Sequence, residues 1–357
     1  MPQGFFPLKV SRIIRETPDA VSIAFQVPTH LKNQFSYLAG QYLTFHLVIN
    51  GEEVRRSYSV CSSPYLDEMP VIAVKKVENG RMSTYFNEQL KEGDIIEAMP
   101  PMGKFTVEPV ENRKTHYVLI GGGSGITPLY SILLTVLNKE PNSTITLMYA
   151  NRNTESVIFA RDLEKLAAQH AGKLDIVYVY DQPPAGWHGL SGFLTTPMIH
   201  QVLRQYVESP REAVYYICGP GPMMQMAKSS LEMAGIPADH VRTEYFSAVS
   251  TEPKAAPPVS ETEDASIPHE VKVEVYGKEH TITVKPGDTI LNAAQDAGLE
   301  PPFSCTVGVC TTCRARVLSG KVHMDEREGL SDAEMNEGFV LTCQSHPLTD
   351  GVHVIYE

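Results

Sequence analysis

Four cysteines near the C-terminus constrain this chain more than any other feature. They stand as Cys305-x4-Cys310-x2-Cys313, and Cys343 follows after 29 further residues. Three thiolates on one loop and a fourth from a distant segment can wrap an iron pair, and this spacing is one that holds a [2Fe–2S] cluster. Gly308 and the small residues Ser304, Thr311 and Thr312 suit a loop whose backbone N–H groups turn toward sulfur. A zinc ribbon would favour paired C-x2-C knuckles instead. The expected metal ligands are therefore Cys305, Cys310, Cys313 and Cys343. The two other cysteines, Cys61 and Cys218, stand alone, where a thiol commonly acts as a small hydrophobe.

Such a crowd of thiols is not the even framework of a disulfide-stapled secreted domain. The opening MPQGFFPLKV lacks a basic stretch leading into an apolar one, so a cytoplasmic protein without a secretory signal is expected. The most apolar stretch, Tyr117 to Leu137, is broken by GGGSGITP and reads as strand, loop and helix, not a membrane span. The formal charge of −12 argues against nucleic acid or an anionic membrane as a partner. That charge is uneven: residues 1–247 carry −2, residues 248–268 carry −3 and residues 269–357 carry −7. A small acidic unit hangs on a nearly neutral body. The join, 248–268, holds four prolines and no aromatic residue, the composition of an extended linker.

Three kinds of patterning divide the rest. Over 1–110, the runs VSIAFQV, QYLTFHLVI, VRRSYSV, VIAVKKV and DIIEAM alternate with turns such as Asn50-Gly51 and Gly93-Asp94. These predict an antiparallel barrel, interrupted by one helix whose apolar face is Met82, Tyr85, Phe86 and Leu90. Over 111–247, strand-like and helix-like runs alternate, which predicts a doubly wound parallel sheet. Over 269–357, the runs VKVEVYG and EHTITV predict a hairpin turning at Gly277-Lys278, followed by a helix capped by Asp288 and ending at Gly298. A later capping box, Ser331-x-x-Glu334, starts a second short helix of this α+β unit.

Further motifs fall on this frame. Gly121 to Pro128 (GGGSGITP) follows a strand and opens a helix, which suits a nucleotide phosphate, although it is not the G-x-G-x-x-G fingerprint. Cys218-Gly219-Pro220-Gly221-Pro222-Met223 ends a later strand, where open α/β sheets bind ligands. Arg56-Ser57-Tyr58-Ser59 lies on a barrel strand, where Tyr58 taken alone reads as packing and Arg56 as a solvated charge. Gly80-Arg81-Met82-Ser83 starts a helix and offers free N–H groups to a phosphate.

Taken in order, these motifs and Glu244-Tyr245-Phe246 resemble the ferredoxin–NADP reductase superfamily, and the cysteine unit resembles a plant-type ferredoxin. The resemblance spans the whole chain. It implies a Greek-key flavin barrel, a nucleotide domain and a β-grasp ferredoxin, with FAD, a [2Fe–2S] cluster and NADPH or NADH as donor. It implies that Arg56, Ser57, Tyr58 and Ser59 meet the flavin, and that Gly80, Met82 and Ser83 meet its pyrophosphate. Gly122, Gly123, Ser124, Gly125 and Thr127 would cradle the nicotinamide nucleotide, with Gly219, Pro220 and Met223 beside them. Ser59, Cys218 and Glu244 would stand at the nicotinamide–flavin contact as catalytic residues, with Phe246 bordering the ring. Arg152, just past the strand TLMYA, would read a 2′-phosphate and favour NADPH, since no acid follows that strand directly. The implied acceptor is an oxygenase component, of the diiron type; a ring-hydroxylating oxygenase or a hybrid-cluster protein would be served by the same parts.

Overall fold

The computed structural model describes residues 2–66, 69–246 and 267–356. The expected linker 248–268 lies outside the described residues except for Ile267 and Pro268. The chain divides into two compact units: Phe6–Val54 with Tyr58–Phe246 make the larger, and the C-terminal region, with Met1–Phe5 and Arg55–Ser57, makes the smaller.

In the larger unit, β1 (Phe6–Thr17), β2 (Ala20–Gln26), β3 (Tyr42–Ile49), β4 (Glu52–Ser59), β5 (Val71–Lys75) and β6 (Ile95–Ala98) form an antiparallel sheet in the order β4-β3-β6-β1-β2-β5. A bridge between Val60 and Ile72 joins its two ends. Twelve-residue β1 is absent from the runs legible in sequence. Its register slips between Val10 and Arg12 and again between Arg15 and Thr17, so its polar and apolar residues do not alternate. The expected turn at Asn50-Gly51 is present, both residues having positive φ (55° and 82°). Helix α1 (Arg81–Glu88) seats Met82 and Phe86 in the barrel core.

The second layer of this unit is built from β7 (His116–Gly122), α2 (Ile126–Lys139), β8 (Thr144–Asn151), α3 (Ala160–Gln169), β9 (Leu174–Tyr180), β10 (Leu190–Ser191), α4 (Thr196–Tyr206), β11 (Val214–Gly219), α5 (Gly221–Met233) and β12 (Val241–Tyr245). Its strands run parallel in the order β10-β9-β8-β7-β11-β12. The order reverses between β7 and β11, and a crevice opens at the carboxyl ends of strands where such a reversal occurs. A buried carboxylate anchors the opposite end of the sheet. Glu140 accepts hydrogen bonds from Val110 N–H (3.0 Å), Arg113 (3.1 Å), the Tyr117 hydroxyl (3.0 Å) and Ser143 (2.7 Å).

The smaller unit contains β13 (His269–Val275), β14 (Lys278–Val284), α6 (Ile290–Asp296), β15 (Arg314–Ser319), β16 (Val322–Met324), α7 (Asp332–Asn336), β17 (Phe339–Leu341), β18 (Ser345–Pro347) and β19 (Val352–Tyr356). Its main sheet has the order β14-β13-β19-β15-β17, with β19 parallel to β13 and antiparallel to β15. The last strand of the chain thus enters the middle of the sheet, and α6 packs Ile290 and Ala294 against Val271, Val273 and Val354. Two local expectations are corrected. The hairpin turns at Tyr276-Gly277, where both φ values are positive (51° and 72°), so Lys278 already pairs with Val275. The N-cap of α6 is Thr289, whose hydroxyl accepts the Asn292 N–H (3.2 Å), while Asp288 accepts the Thr289 N–H (2.9 Å). The capping box at Ser331 and Glu334 forms as the sequence suggests.

Candidate functional site

The two glycine motifs, about ninety residues apart in sequence, meet at the switch point. Cys218 pairs with Gly121 across β11 and β7. A Cβ on Gly125 would lie 2.2 Å from the Cys218 carbonyl oxygen, and one on Gly219 would lie 2.9 Å from the Gly122 nitrogen. Backbone packs on backbone here, so a side chain at Gly125 has nowhere to go. Gly123, by contrast, has φ +53° and open space beyond it. Its carbonyl accepts the Tyr149 hydroxyl (3.0 Å), which holds the loop to β8. Ser124 is half-buried, while Thr127 is buried and donates to the Ser124 carbonyl (3.1 Å). Thr127 thus shapes the loop from within. Pro220 is exposed, Met223 is half-buried, and Met223 Sδ would lie 2.6 Å from a Cβ on Gly122.

A short polar chain lies beside this crevice. Cys218 on β11 is the register partner of Glu244 on β12. Ser59, buried at the end of barrel strand β4, donates its hydroxyl to Glu244 Oε2 (3.1 Å). Burial pushes the half-buried Glu244 carboxyl up to about 8, against the pull of the Ser59 hydrogen bond. Burial also pushes the Cys218 thiol well above its ordinary range, and the neighbouring Glu244 charge adds to the effect. Both groups are therefore mainly protonated at neutral pH. Phe246, just past β12, is 42% exposed.

The barrel carries the residues expected to meet a flavin. The half-buried Tyr58 ring lies 6.2 Å from Phe45 and 5.5 Å from Phe86, centroid to centroid. Arg56 is exposed and donates to the Arg55 carbonyl (2.7 Å), and Ser57 on the same strand is half-buried. Helix α1 has Gly80 as N-cap without any side-chain cap, so N–H groups of its first turn remain available to an anion. The Ser83 hydroxyl is already engaged with the Gly80 carbonyl (3.2 Å) and the Val77 N–H (3.3 Å), and Met82 is buried in the core. Backbone donors, not the hydroxyl, are what this turn offers to a pyrophosphate.

At the end of β8, Asn151 is buried and neither of its amide atoms meets hydrogen-bond geometry with a neighbour. Its side chain neighbours the Tyr149 hydroxyl. Sequence reasoning places Asn151-Arg152 together at this strand end and assigns the phosphate-reading role to Arg152, because burial at a strand end leaves no mark in composition. Arg152 is exposed, and its carbonyl accepts the Gln182 N–H (2.7 Å). The Asp181 N–H donates to the Asn151 carbonyl (3.0 Å), which brings an acid from the end of β9 to the same edge.

In the smaller unit, Cys305 and Cys310 are half-buried and Cys313 and Cys343 are buried. Cys305 neighbours the thiols of Cys310 and Cys343, and Cys343 neighbours Cys313 as well. Hydrogen bonds from those thiols pull Cys305 down, while Cys343 is pushed up by the same neighbours. Among the described residues, no three His, Cys, Asp or Glu side chains close on one point in the manner of a single-ion site. Thr306 and Gly308 have positive φ (59° and 74°), which turns the loop so that the Val307 N–H faces Cys305 Sγ (3.5 Å). Three sulfurs on a loop that turns a backbone N–H toward Cys305, joined by Cys343 from the segment after β17, fit a cluster of iron and sulfide.

Comparison with known proteins bears on all three regions. Residues 7–107 match the oxidoreductase FAD-binding domain, 119–229 the oxidoreductase NAD-binding domain, and 273–348 the 2Fe-2S iron-sulfur cluster binding domain. One component of the 1,2-phenylacetyl-CoA epoxidase of Escherichia coli (strain K12) is 35% identical over 99% of this chain and 98% of its own. The chain belongs to the ferredoxin–NADP reductase superfamily, fused to a plant-type ferredoxin. It is an oxidoreductase with FAD, nicotinamide nucleotide and [2Fe–2S] domains. The ferredoxin reductase component of the 3-ketosteroid-9-alpha-monooxygenase of Rhodococcus rhodochrous is 34% identical over 97% of this chain and 95% of its own. The fold is shared with phthalate dioxygenase reductase, at TM-score 0.58 and 24% identity over 99% of this chain and 97% of that one. Among the described residues no helix is long and apolar enough to cross a membrane.

Proposed function

We propose that this reductase passes electrons from NAD(P)H through FAD and the [2Fe–2S] cluster to an oxygenase component, namely the diiron oxygenase of a phenylacetyl-CoA epoxidase, in the cytoplasm. The observation that carries the electron-transfer reading is the Ser59–Glu244–Cys218 chain beside the glycine crevice, in a polypeptide that ends in four gathered thiols. Full-length similarity to a component of a phenylacetyl-CoA epoxidase supports the acceptor. Three domains are proposed: a flavin barrel over 1–110, a nucleotide domain over 111–247 and, beyond the linker, a ferredoxin over 269–357.

FAD held in the barrel would supply the exchange between two-electron hydride acceptance and one-electron release toward the cluster. The chain's own part is to bind, orient and exclude water. In the proposed arrangement the first turn of α1 and Arg56 hold the flavin pyrophosphate, and Tyr58 flanks the ring system. Gly122 to Gly125 let the nucleotide approach the backbone at the end of β7. Ser59 fixes the orientation of Glu244, which stays neutral at pH 7 and can donate a hydrogen bond. The protonated Cys218 keeps the wall of the crevice uncharged, which suits a neutral dihydronicotinamide. Cys305, Cys310, Cys313 and Cys343 carry the cluster.

NADPH is the proposed preferred donor, supported by the exposed Arg152 at the end of β8. Asp181 at the same edge suits an unphosphorylated ribose, so NADH is proposed as a second donor. The test is a decoupling experiment with Cys343→Ser and the purified epoxidase oxygenase. The variant should lose NADPH-driven substrate oxidation while reducing ferricyanide at the wild-type rate. Undiminished substrate oxidation would overturn the route through the cluster, and a wild-type reductase inert toward that oxygenase would overturn the acceptor.

A further inference from the structure

The residue before the C-terminus reaches the cluster loop through a two-step hydrogen-bond chain. The Tyr356 hydroxyl donates to Thr342 Oγ1 (2.8 Å), and Thr342 Oγ1 donates to the Cys313 carbonyl (3.0 Å). The Thr342 N–H donates to the same carbonyl (3.2 Å). Thr342 is fully buried and directly precedes Cys343, so the chain ends between two of the four sulfur ligands.

A threonine hydroxyl carries one proton. Because Oγ1 accepts from Tyr356, its own proton is committed to Cys313, and the donor direction along the chain is fixed. The tyrosine is itself held in place. Strand β19 is paired on both sides, with Tyr356 opposite Ala315, two residues past Cys313. Burial pushes the Tyr356 hydroxyl above its ordinary range, so it remains a donor at all working pH values.

We propose that Tyr356 is a positioning residue that, by orienting the Thr342 hydroxyl, sets the polarity around Cys313 and Cys343 and raises the reduction potential of the cluster. Hydrogen bonds and dipoles near the sulfurs are among the terms that set such potentials. The hydroxyl proton held at the Cys313 carbonyl places positive charge beside that ligand, which favours the reduced, more negative cluster, so releasing the hydroxyl lowers the potential. The inference rests on these four cysteines holding the [2Fe–2S] cluster.

The experiment uses the purified holoprotein and its variants Tyr356→Phe, Thr342→Val and Thr342→Ser. Iron and sulfide content is measured first, and a wild type without two irons would remove the cluster reading itself. Each variant is then titrated anaerobically, with the reduced cluster followed by electron paramagnetic resonance. Tyr356→Phe and Thr342→Val should weaken reduction of the cluster by the flavin about threefold, about 30 mV at 59 mV per tenfold for one electron. Their g-values should change, with ferricyanide reduction unaltered. Thr342→Ser keeps the hydroxyl and should titrate as wild type, and the double variant should shift no further than Thr342→Val. A fully loaded Tyr356→Phe protein with wild-type potential and spectrum would overturn the proposal. So would additive shifts in the double variant. Should Tyr356→Phe load poorly, a wild-type potential in loaded Thr342→Val overturns it equally.

Discussion

Replacing Glu244 by glutamine is the sharpest test of the crevice chemistry. An ordinary glutamate ionises near 4.5, and burial pushes Glu244 up to about 8. A group with that pKa is roughly 90% protonated at pH 7 and roughly 10% at pH 9. If the neutral carboxyl is the form that supports hydride transfer, flavin reduction should fall about tenfold over those two pH units, with a midpoint near 8. Glutamine has the same shape and cannot ionise. Glu244→Gln should therefore reduce flavin at pH 7 within a fewfold of wild type and show no inflection between pH 7 and 9. The assay is anaerobic stopped-flow bleaching of the flavin with excess NADPH, read separately from the cluster. Ser59→Ala supplies an internal control. Its hydrogen bond pulls the pKa down, so its loss should move the inflection upward. The same shift has a stability consequence. The native state binds this proton more tightly than the unfolded chain, so Glu244 makes stability fall as pH rises from about 4.5 to about 8. The glutamine variant should lose that component. An inflection that persists in Glu244→Gln, or a wild-type profile flat from pH 7 to 9, would refute the reasoning.

Two further substitutions test the scaffold. In Gly125→Ala the new Cβ meets the Cys218 carbonyl at 2.2 Å, and both partners are backbone. The glycine loop must shift, and KM for NADPH should rise tenfold or more, about 1.4 kcal/mol; an unchanged KM would mean the loop does not carry the nucleotide. Glu140→Ala strips the shared acceptor from Arg113, Tyr117, Ser143 and the Val110 N–H. Leaving a cation and three donors without it should destabilise the larger unit by about 3–5 kcal/mol in denaturant titration; a loss under about 1 kcal/mol would show that water replaces the carboxylate.

Much of the molecule is written locally. The cysteine spacing, the glycine run after an apolar strand, the capping box at Ser331 and Glu334 and the alternation of strand and helix all depend on residues a few positions apart. Chain stereochemistry and periodicity make such features readable from sequence. What escapes is non-local or irregular. Strand β1 is hidden because two register slips break its alternation. The hairpin turn sits one residue earlier than its glycine suggests because Tyr276 accepts a positive φ that composition does not advertise. Asn151 is legible as the end of a strand, but only the packed end of β8 shows that it is buried.

The sequence by itself determined which chemistry is present: four thiolates at a cluster spacing, two glycine motifs and a barrel motif in workable order. Tertiary structure alone decided what stands beside what. Strand order places β11 next to β7, so Gly125 packs on the Cys218 carbonyl, and Ser59 reaches Glu244 across 185 positions of chain. Insertion of β19 between β13 and β15 brings Tyr356 to Thr342. The proton affinity of Glu244 belongs to this second class. A carboxyl's pKa depends on the water removed from around it, and no spacing along the chain records how much water a fold excludes.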